Sequence, residues 1–147
     1  TLFASMYAAY EALSDRMKAY LDGMQALHDG EENSRGTYKY AGMDDRQTYP
    51  RAEHPVVRTH PVTGQKALYV NRGFTRRLIG VPRDESYAIL NYLYTHAENP
   101  LFQCRFRWQP NSVAFWDNRC VQHRAMWDYW PHTRSGFRVT VAGDRPV

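Results

Sequence analysis

Chemically reactive side chains are densest between residues 116 and 138. The run Trp116-Asp117-Asn118-Arg119 precedes Gln122 and His123, and two arginines follow at Arg134 and Arg138. Imidazole is the commonest metal ligand among side chains. Arginine presents a rigid fork of donors that suits carboxylate, sulfonate or phosphate oxygens. These residue types are those of a metal ligand beside an anion-binding surface.

The surroundings of His123 allow two interpretations. On a strand, side chains alternate between faces, so Val121, His123 and Ala125 share one face. An imidazole between two small apolar neighbours can face the interior of the protein. That position suits a metal ligand, and it equally suits a core histidine bonded to a carbonyl.

The two arginines fall on one face of a predicted final strand, Gly136 to Ala142, if that strand extends back to residue 134. Their α-carbons would then be about 13 Å apart, with Gly136 leaving open space between them. Such a separation fits two anions, or two ends of one site, better than a single small carboxylate. The alternative is that both side chains are solvated on the outer face.

The composition predicts one globular domain. The chain has 147 residues, of which 43% are hydrophobic and 23% charged. No apolar run approaches the roughly 18 residues that cross a bilayer, so we expect no membrane span. The two cysteines, Cys104 and Cys120, are too few for a disulfide scaffold and favour the cytoplasm.

The basic charge does not by itself indicate nucleic-acid binding. The net charge is +4, and the arginines that carry most of the positive charge are scattered along the chain. A nucleic-acid-binding protein usually gathers such residues into one patch. We therefore disfavour nucleic acid as a partner, and the sequence leaves the oligomeric state open.

The first part of the chain predicts helix, then a short strand, then a loop. Residues 4–22 carry apolar side chains three and four apart, and Ser14-Asp15 resembles a second helix start, so one helix and two short ones are both compatible. Residues 24–28 favour a strand. Residues 29–53 are polar with several glycines and predict a long loop, a kind of segment that commonly forms a mobile lid.

The rest of the chain predicts strands around one helix. Residues 54–60 and 66–71 read as a hairpin, and residues 82–97 as a helix with Pro82 in its first turn. Further strands are predicted at residues 102–108, 112–117, 120–125 and 136–142. The expected fold class is mainly β with flanking helices, in a jelly-roll-like arrangement.

These motifs resemble a known family. The segment Trp116 to His123, followed by Arg134 and Arg138, is similar to the C-terminal signature of the TauD/TfdA family of iron(II)- and 2-oxoglutarate-dependent dioxygenases. Residues 54–64, 68–71 and 73–75 resemble the preceding stretch of its taurine dioxygenase branch, and the similarity runs from Ala8 to Pro146. The family fold is the double-stranded β-helix.

The resemblance implies a role for each matching residue. His123 would be the distal histidine of the iron site, and Arg134 and Thr1 would hold the distal carboxylate of the cosubstrate 2-oxoglutarate. Arg138 would face the anionic group of the substrate with Phe74 packed beside it, and Trp116 would be an aromatic near the metal. The implied reaction is hydroxylation of a small sulfonate such as taurine by dioxygen, which releases sulfite, an aldehyde, succinate and CO2.

One family feature has no match in the sequence. The first two iron ligands of the family lie in a His-x-Asp or His-x-Glu motif upstream of the segment matched here, and the chain contains no His-x-Asp. Its His96-Ala97-Glu98 falls at the end of a predicted helix, so we reject it as a ligand pair. We expect this chain to be the C-terminal portion of the catalytic domain, an incomplete jelly roll that is inactive alone.

Two other classes of function remain open at this point. A non-catalytic jelly-roll module could use the arginine face to hold an anion or a nucleic acid. A zinc-dependent hydrolase is the weaker alternative, because the remaining histidines lack zinc-site spacing and suit surface, turn or packing positions: His28, His54, His60, His96 and His132. Asp117 and Asn118 are predicted to shape a tight turn before the histidine strand.

Overall fold

A computed structural model describes residues 1–31 and 49–147. The first element is a short strand, β1 (Leu2–Ser5), and two helices follow, α1 (Met6–Glu11) and α2 (Asp15–Leu21). Ser5 and Ser14 cap these helices by accepting the N–H bonds of Ala8 and Met17. Of the two arrangements compatible with residues 4–22, the structure has the pair of short helices.

The remaining elements are short strands and one long helix. They are β2 (Gln25–Asp29), β3 (Arg51–Pro55), β4 (Val57–Thr59), β5 (Lys66–Leu68), β6 (Thr75–Leu78), α3 (Arg83–Ala97), a 3-10 turn (Pro100–Phe102), β7 (Gln103–Arg105) and β8 (Val121–Arg124). The strands predicted at residues 24–28 and 120–125, the hairpin and the helix are confirmed. The strands β1 and β6 were not predicted, and the end of β1 lies within residues 4–22, which were predicted to be helical.

All strand pairs are antiparallel, and they form three small sheets. The sheet orders are β7-β1-β8, β3-β2-β6 and β4-β5 among the described residues. The hairpin β4–β5 turns through Gly64, whose φ of +70° lies in the left-handed region that favours glycine. A mainly β fold with flanking helices is therefore confirmed.

The core lies between the helices and the inner faces of the sheets. Its members are buried apolar side chains drawn from the three helices, the strands and the residues next to the strands, among them Met6, Leu21, Val56, Leu68, Val70, Leu78 and Leu93. The buried stripe of α3 packs on β6, where Ser86 Oγ accepts the Leu78 N–H over 2.8 Å. This core fixes the position of β1 and β8 through α1.

Two predicted strands are wrong for this structure. Residues 112–117 and 136–142 have no strand pairing, and their apolar side chains, including Phe115 and Phe137, are almost fully exposed. Their alternation is that of a strand, but a strand also needs a neighbour to satisfy its backbone groups. No described segment pairs with them as a neighbouring strand. Of the strand predicted over residues 102–108, only β7 is present, because only its three residues pair with β1.

The loop predicted at residues 29–53 is shorter than expected, because residues at both of its ends belong to strands. Asp29 ends β2 and residues 51–53 belong to β3, and these two strands pair with each other. Cross-strand hydrogen bonds outweigh the polar composition of these few residues. The lid assigned to this segment lies for the most part outside the described residues.

Candidate iron and 2-oxoglutarate site

His123 lies on the face of the β7-β1-β8 sheet that points away from the core. It pairs across the strands with Phe3, so the two side chains are neighbours. The ring centroids of Trp116 and Phe3 lie 4.9 Å and 6.2 Å from that of His123. Because the Phe3 and Trp116 rings are themselves 5.1 Å apart, the imidazole packs against one side of this aromatic pair.

The next residue, Gln122, explains this orientation. Its side-chain amide points to the opposite face, where it donates to the Val70 carbonyl over 2.7 Å and contacts Met6 Sδ at 3.0 Å. Because side chains alternate along a strand, anchoring Gln122 against the core directs His123 away from it. β8 is therefore fixed from behind by α1 and by the end of the β4–β5 hairpin.

The imidazole is exposed, which corrects the expectation that it points inward between small neighbours. The physical reason is that no described segment covers this face of the sheet. Partial burial by the aromatic rings lowers the pKa of His123, and the positive charge of Arg138 lowers it further. The neutral ring is therefore favoured at neutral pH, and the neutral form is the one that binds metals.

Thr1 lies directly before β1. Because side chains alternate along the chain, it shares the face of Phe3 and therefore that of His123. Its backbone pairs with Phe106, and its hydroxyl oxygen accepts a hydrogen bond from Trp108 Nε1 over 2.9 Å. Burial, then the charges of Arg105 and Arg134, lowers the pKa of its amino group. The charge of Arg134 thus acts at Thr1, while the predicted binding of one carboxylate by both residues stays a prediction.

The predicted packing of Phe74 beside Arg138 stays a prediction. Phe74 is half-exposed in the turn before β6, where its backbone bonds to Asn71 and Asp29. Within the described ranges, no hydrogen bond or cation–π contact joins Phe74 to Arg138. The charge of Arg138 thus acts on His123 and that of Arg134 on Thr1, while the roles assigned to these residues and to Phe74 stay predictions.

Asp117 and Asn118 form the predicted turn before β8. Asp117 Oδ1 accepts the Arg119 N–H over 2.8 Å and its carbonyl accepts the Cys120 N–H, while Asn118 Oδ1 accepts from Trp116 Nε1 over 2.9 Å. The Arg119 guanidinium holds the pKa of the Asp117 carboxyl well below its usual range. Trp116 is thus oriented toward His123 by the turn itself.

Sequence reasoning missed the buried partner of this turn, His60. Its Nε2 lies 3.1 Å from Asp117 Oδ2, although the two residues are 57 positions apart. No local pattern signals such a contact. His60 was assigned a surface, turn or packing position, and it occupies the first residue of the hairpin turn.

The described residues fit an iron site in part. His123 supplies one neutral imidazole on an open face, with the positive charge of Arg138 acting on it. A neutral imidazole is the donor type that iron takes alongside a second histidine and a carboxylate. The described chain brings no carboxylate to that ring. His96 and Glu98 are engaged elsewhere, with the Ala9 carbonyl and with Arg72, so their rejection as a ligand pair is supported.

Comparison with protein families decides the relationship. The model of the "Taurine catabolism dioxygenase TauD, TfdA family" matches residues 1–140. The chain belongs to this family. The match includes every residue assigned above from the resemblance.

Individual members of the TauD/TfdA family are similar over the whole chain. A Schizosaccharomyces pombe protein, provisionally named as an alpha-ketoglutarate-dependent sulfonate dioxygenase, is 49% identical over 99% of this chain and 37% of its own length. An alpha-ketoglutarate-dependent sulfonate dioxygenase of Saccharomyces cerevisiae is 39% identical over 100% of this chain and 36% of its own. The chain thus spans little more than a third of these relatives.

A solved structure agrees with the sequence comparisons. A taurine dioxygenase from Burkholderia xenovorans superposes with a TM-score of 0.67 at 38% identity, over 82% of this chain and 38% of that one. In the part of the chain that the structure describes, no helix has the length and apolar character needed to cross a membrane.

Proposed function

We propose that the protein is an iron(II)- and 2-oxoglutarate-dependent dioxygenase that hydroxylates a small sulfonate such as taurine. The products would be sulfite, an aldehyde, succinate and CO2. In this proposal the chain contributes part of a double-stranded β-helix. What supports the proposal is the open sheet face that carries His123 and Thr1, where the positive charge of Arg138 acts on His123 and that of Arg134 acts on Thr1.

In this proposal different residues bind the cosubstrate and the substrate. The Thr1 hydroxyl and the Arg134 guanidinium would hold the distal carboxylate of 2-oxoglutarate, since a charge-assisted fork binds a carboxylate strongly and in one orientation. Arg138, beside His123, would hold the anionic group of the substrate. Orientation matters because a misplacement of about 1 Å can cost roughly 100-fold in rate.

His123 would hold the iron together with two ligands from outside the described residues. When bound, the iron would supply the activation of dioxygen that couples decarboxylation of 2-oxoglutarate to hydroxylation of the substrate. Trp116 and Phe3 would exclude water from the side of the imidazole that packs against them. Because the described chain provides one ligand of three, we expect it to be inactive alone.

The test is an oxygen-uptake assay on the intact protein with Fe(II), 2-oxoglutarate and taurine. We expect oxygen uptake that depends on 2-oxoglutarate and releases sulfite in equal amounts, and we expect His123→Ala to abolish it. Uptake with another sulfonate or a sulfate ester but not with taurine would keep the chemistry and change the substrate. Anion binding without uptake on any such compound would favour the non-catalytic module instead.

Location in the cytoplasm and assembly into homo-oligomers stay predictions. The two free cysteines agree with a reducing compartment. Fractionation of the source cells and light scattering of the purified protein would test these two points separately.

A further inference from the structure

His60 is a buried histidine whose two ring nitrogens have different partners. It is 5% exposed and lies where β4 enters the hairpin turn. Nδ1 accepts the backbone N–H bonds of Val62 and Thr63, each over 3.2 Å. The other nitrogen, Nε2, lies 3.1 Å from Asp117 Oδ2.

These partners fix the position of the proton. A nitrogen that accepts two N–H bonds carries no hydrogen of its own, so the ring hydrogen must be on Nε2. Nε2 therefore donates to the Asp117 carboxylate.

The same reasoning excludes a metal at this point. His60, Asp117 and Cys120 have potential ligand atoms within 4.8 Å of one another. A metal on Nε2 would require the hydrogen to move to Nδ1, where two N–H donors already point. Asp117 is also neutralised by the Arg119 guanidinium, with contacts of 2.7–3.0 Å. The cluster is thus a hydrogen-bonded support rather than a metal centre.

Asp117 begins the turn that leads into β8, the strand that carries His123. The turn closes when the Cys120 N–H bonds to the Asp117 carbonyl, and the Cys120 carbonyl then accepts the Met6 N–H over 2.9 Å. β8 starts at the next residue, in register with β1 so that His123 faces Phe3. A shift of Asp117 would therefore shift the strand that carries the imidazole.

His60 anchors this turn to the rest of the molecule. Arg119 is two residues from Asp117 and moves with the turn, so it cannot fix the turn's position by itself. The outer end of Arg119 reaches Asp144 over 3.1 Å, and Asp144 in turn binds the buried Arg58 of β4 over 2.9 Å. This second connection is indirect and passes through the more exposed Asp144, whereas the His60 contact is direct and largely buried. A hydrogen bond to a charged group strengthens as solvent is excluded.

We propose that His60 is a positioning residue for the metal ligand His123 and that it acts through Asp117. This proposal rests on the proposed function, because it assigns His123 to the iron site. His60 itself touches neither metal nor substrate.

Two substitutions at His60 separate this role from simple support of the hairpin turn. In His60→Asn the amide sits near the place of Nδ1, so it can still accept from the turn but cannot reach Asp117. In His60→Gln the amide sits near the place of Nε2, so it can still donate to Asp117 but leaves the turn N–H bonds. His132→Asn, at an exposed histidine, is the matched control.

The measurement is the dissociation constant of Mn(II) for the intact protein, with free Mn(II) followed by electron paramagnetic resonance. We expect His60→Asn to bind Mn(II) about tenfold more weakly, in the range of supporting residues around metal ligands. We expect His60→Gln and the control to stay within about twofold of the parent. Equal binding by His60→Asn and the parent, or weaker binding by His60→Gln than by His60→Asn, would overturn the proposal.

A second variant tests whether the effect passes through Asp117 and covers the case in which His60→Asn does not fold. Asp117→Asn should weaken Mn(II) binding about as much as His60→Asn, and the double variant should be no weaker than either single one. Additive losses, or an Asp117→Asn protein with parental affinity, would contradict the proposal.

The outcome also separates the two proposals. A parent protein that binds Mn(II) but oxidises no sulfonate would sink the proposed function, while the order of the His60 variants would still decide the positioning role. A parent protein that binds no Mn(II) would overturn both.

Discussion

The indole of Trp116 covers one side of the His123 imidazole, with ring centroids 4.9 Å apart and planes tilted by 54°. The indole is held in place by its own N–H, which donates to Asn118 in the following turn. The side chain of Asn118 thus fixes the indole that packs against His123, the candidate metal ligand.

Trp116→Ala should weaken Mn(II) binding by the intact protein about tenfold, because the apolar surroundings of a metal site limit water access and hold the ligand in orientation. Electron paramagnetic resonance of free Mn(II) measures the change. Trp127→Ala removes an indole that is more exposed than that of Trp116 and that stacks on Tyr129, not on His123, so it should have no effect. Equal loss in both variants would show that the contact with His123 is unimportant.

Arg134→Gln and Arg138→Gln should affect different Michaelis constants. Loss of a charge-assisted fork is worth about 10- to 100-fold in binding, so we expect the KM for 2-oxoglutarate to rise in the first variant and the KM for the sulfonate in the second. Steady-state oxygen uptake by the intact protein measures both constants. Arg124→Gln is the control, since Arg124 lies on β8 next to His123 but on the opposite face. A rise of the same constant in both variants would contradict the division of roles.

His28 should make the stability of the protein depend on pH. Burial lowers the pKa of His28 to about 4, with smaller contributions from the charges of His54 and Arg76. In the unfolded chain the pKa returns to its ordinary value near 6.5, so between these values the unfolded state binds the extra proton. The free energy of unfolding should therefore be highest above pH 6.5 and fall as the pH decreases toward 4.

The urea midpoint at pH 7.5 and at pH 5 measures this dependence. His28→Phe keeps a ring that can stack on Tyr69, which lies 5.7 Å away, and removes the titrating group. We expect a smaller loss of stability on acidification in this variant, with the residual loss coming from His54 and His123, whose pKa values are also lowered by burial. The exposed control His132→Phe should keep the parental difference, and parallel behaviour of all three proteins would refute the assignment.

Ser86→Ala should destabilise the protein by about 1–3 kcal/mol, because it leaves the buried N–H of Leu78 without an acceptor. The serine is 2% exposed and joins α3 to β6, so water cannot replace its hydroxyl. Urea unfolding followed by circular dichroism measures the change. Ser112→Ala removes a similar acceptor from the exposed N–H of Gln109 and should cost less than about 0.5 kcal/mol. An equal loss of stability in the two variants would mean that burial does not determine how much the hydrogen bond contributes to stability.

Local signals were enough to predict the elements that carry His123 and the long helix. The alternation around His123 and the turn residues Asp117 and Asn118 act within a few positions, so they are legible in the sequence. The helix α3 was predicted to within one residue, since Pro82, the acidic first turn and the apolar stripe all act locally.

The tertiary structure decided the features that depend on distant partners. The alternation of residues 112–117 and 136–142 is that of strands, yet no described neighbour pairs with them, whereas the short β1 is a strand because β7 and β8 flank it. The contact of His60 with Asp117 and the suppressed pKa of His28 likewise depend on residues brought together from far along the chain. A sequence by itself determines propensity and spacing, because these act locally; pairing, burial and the support of a reactive group arise only when separate segments meet in space.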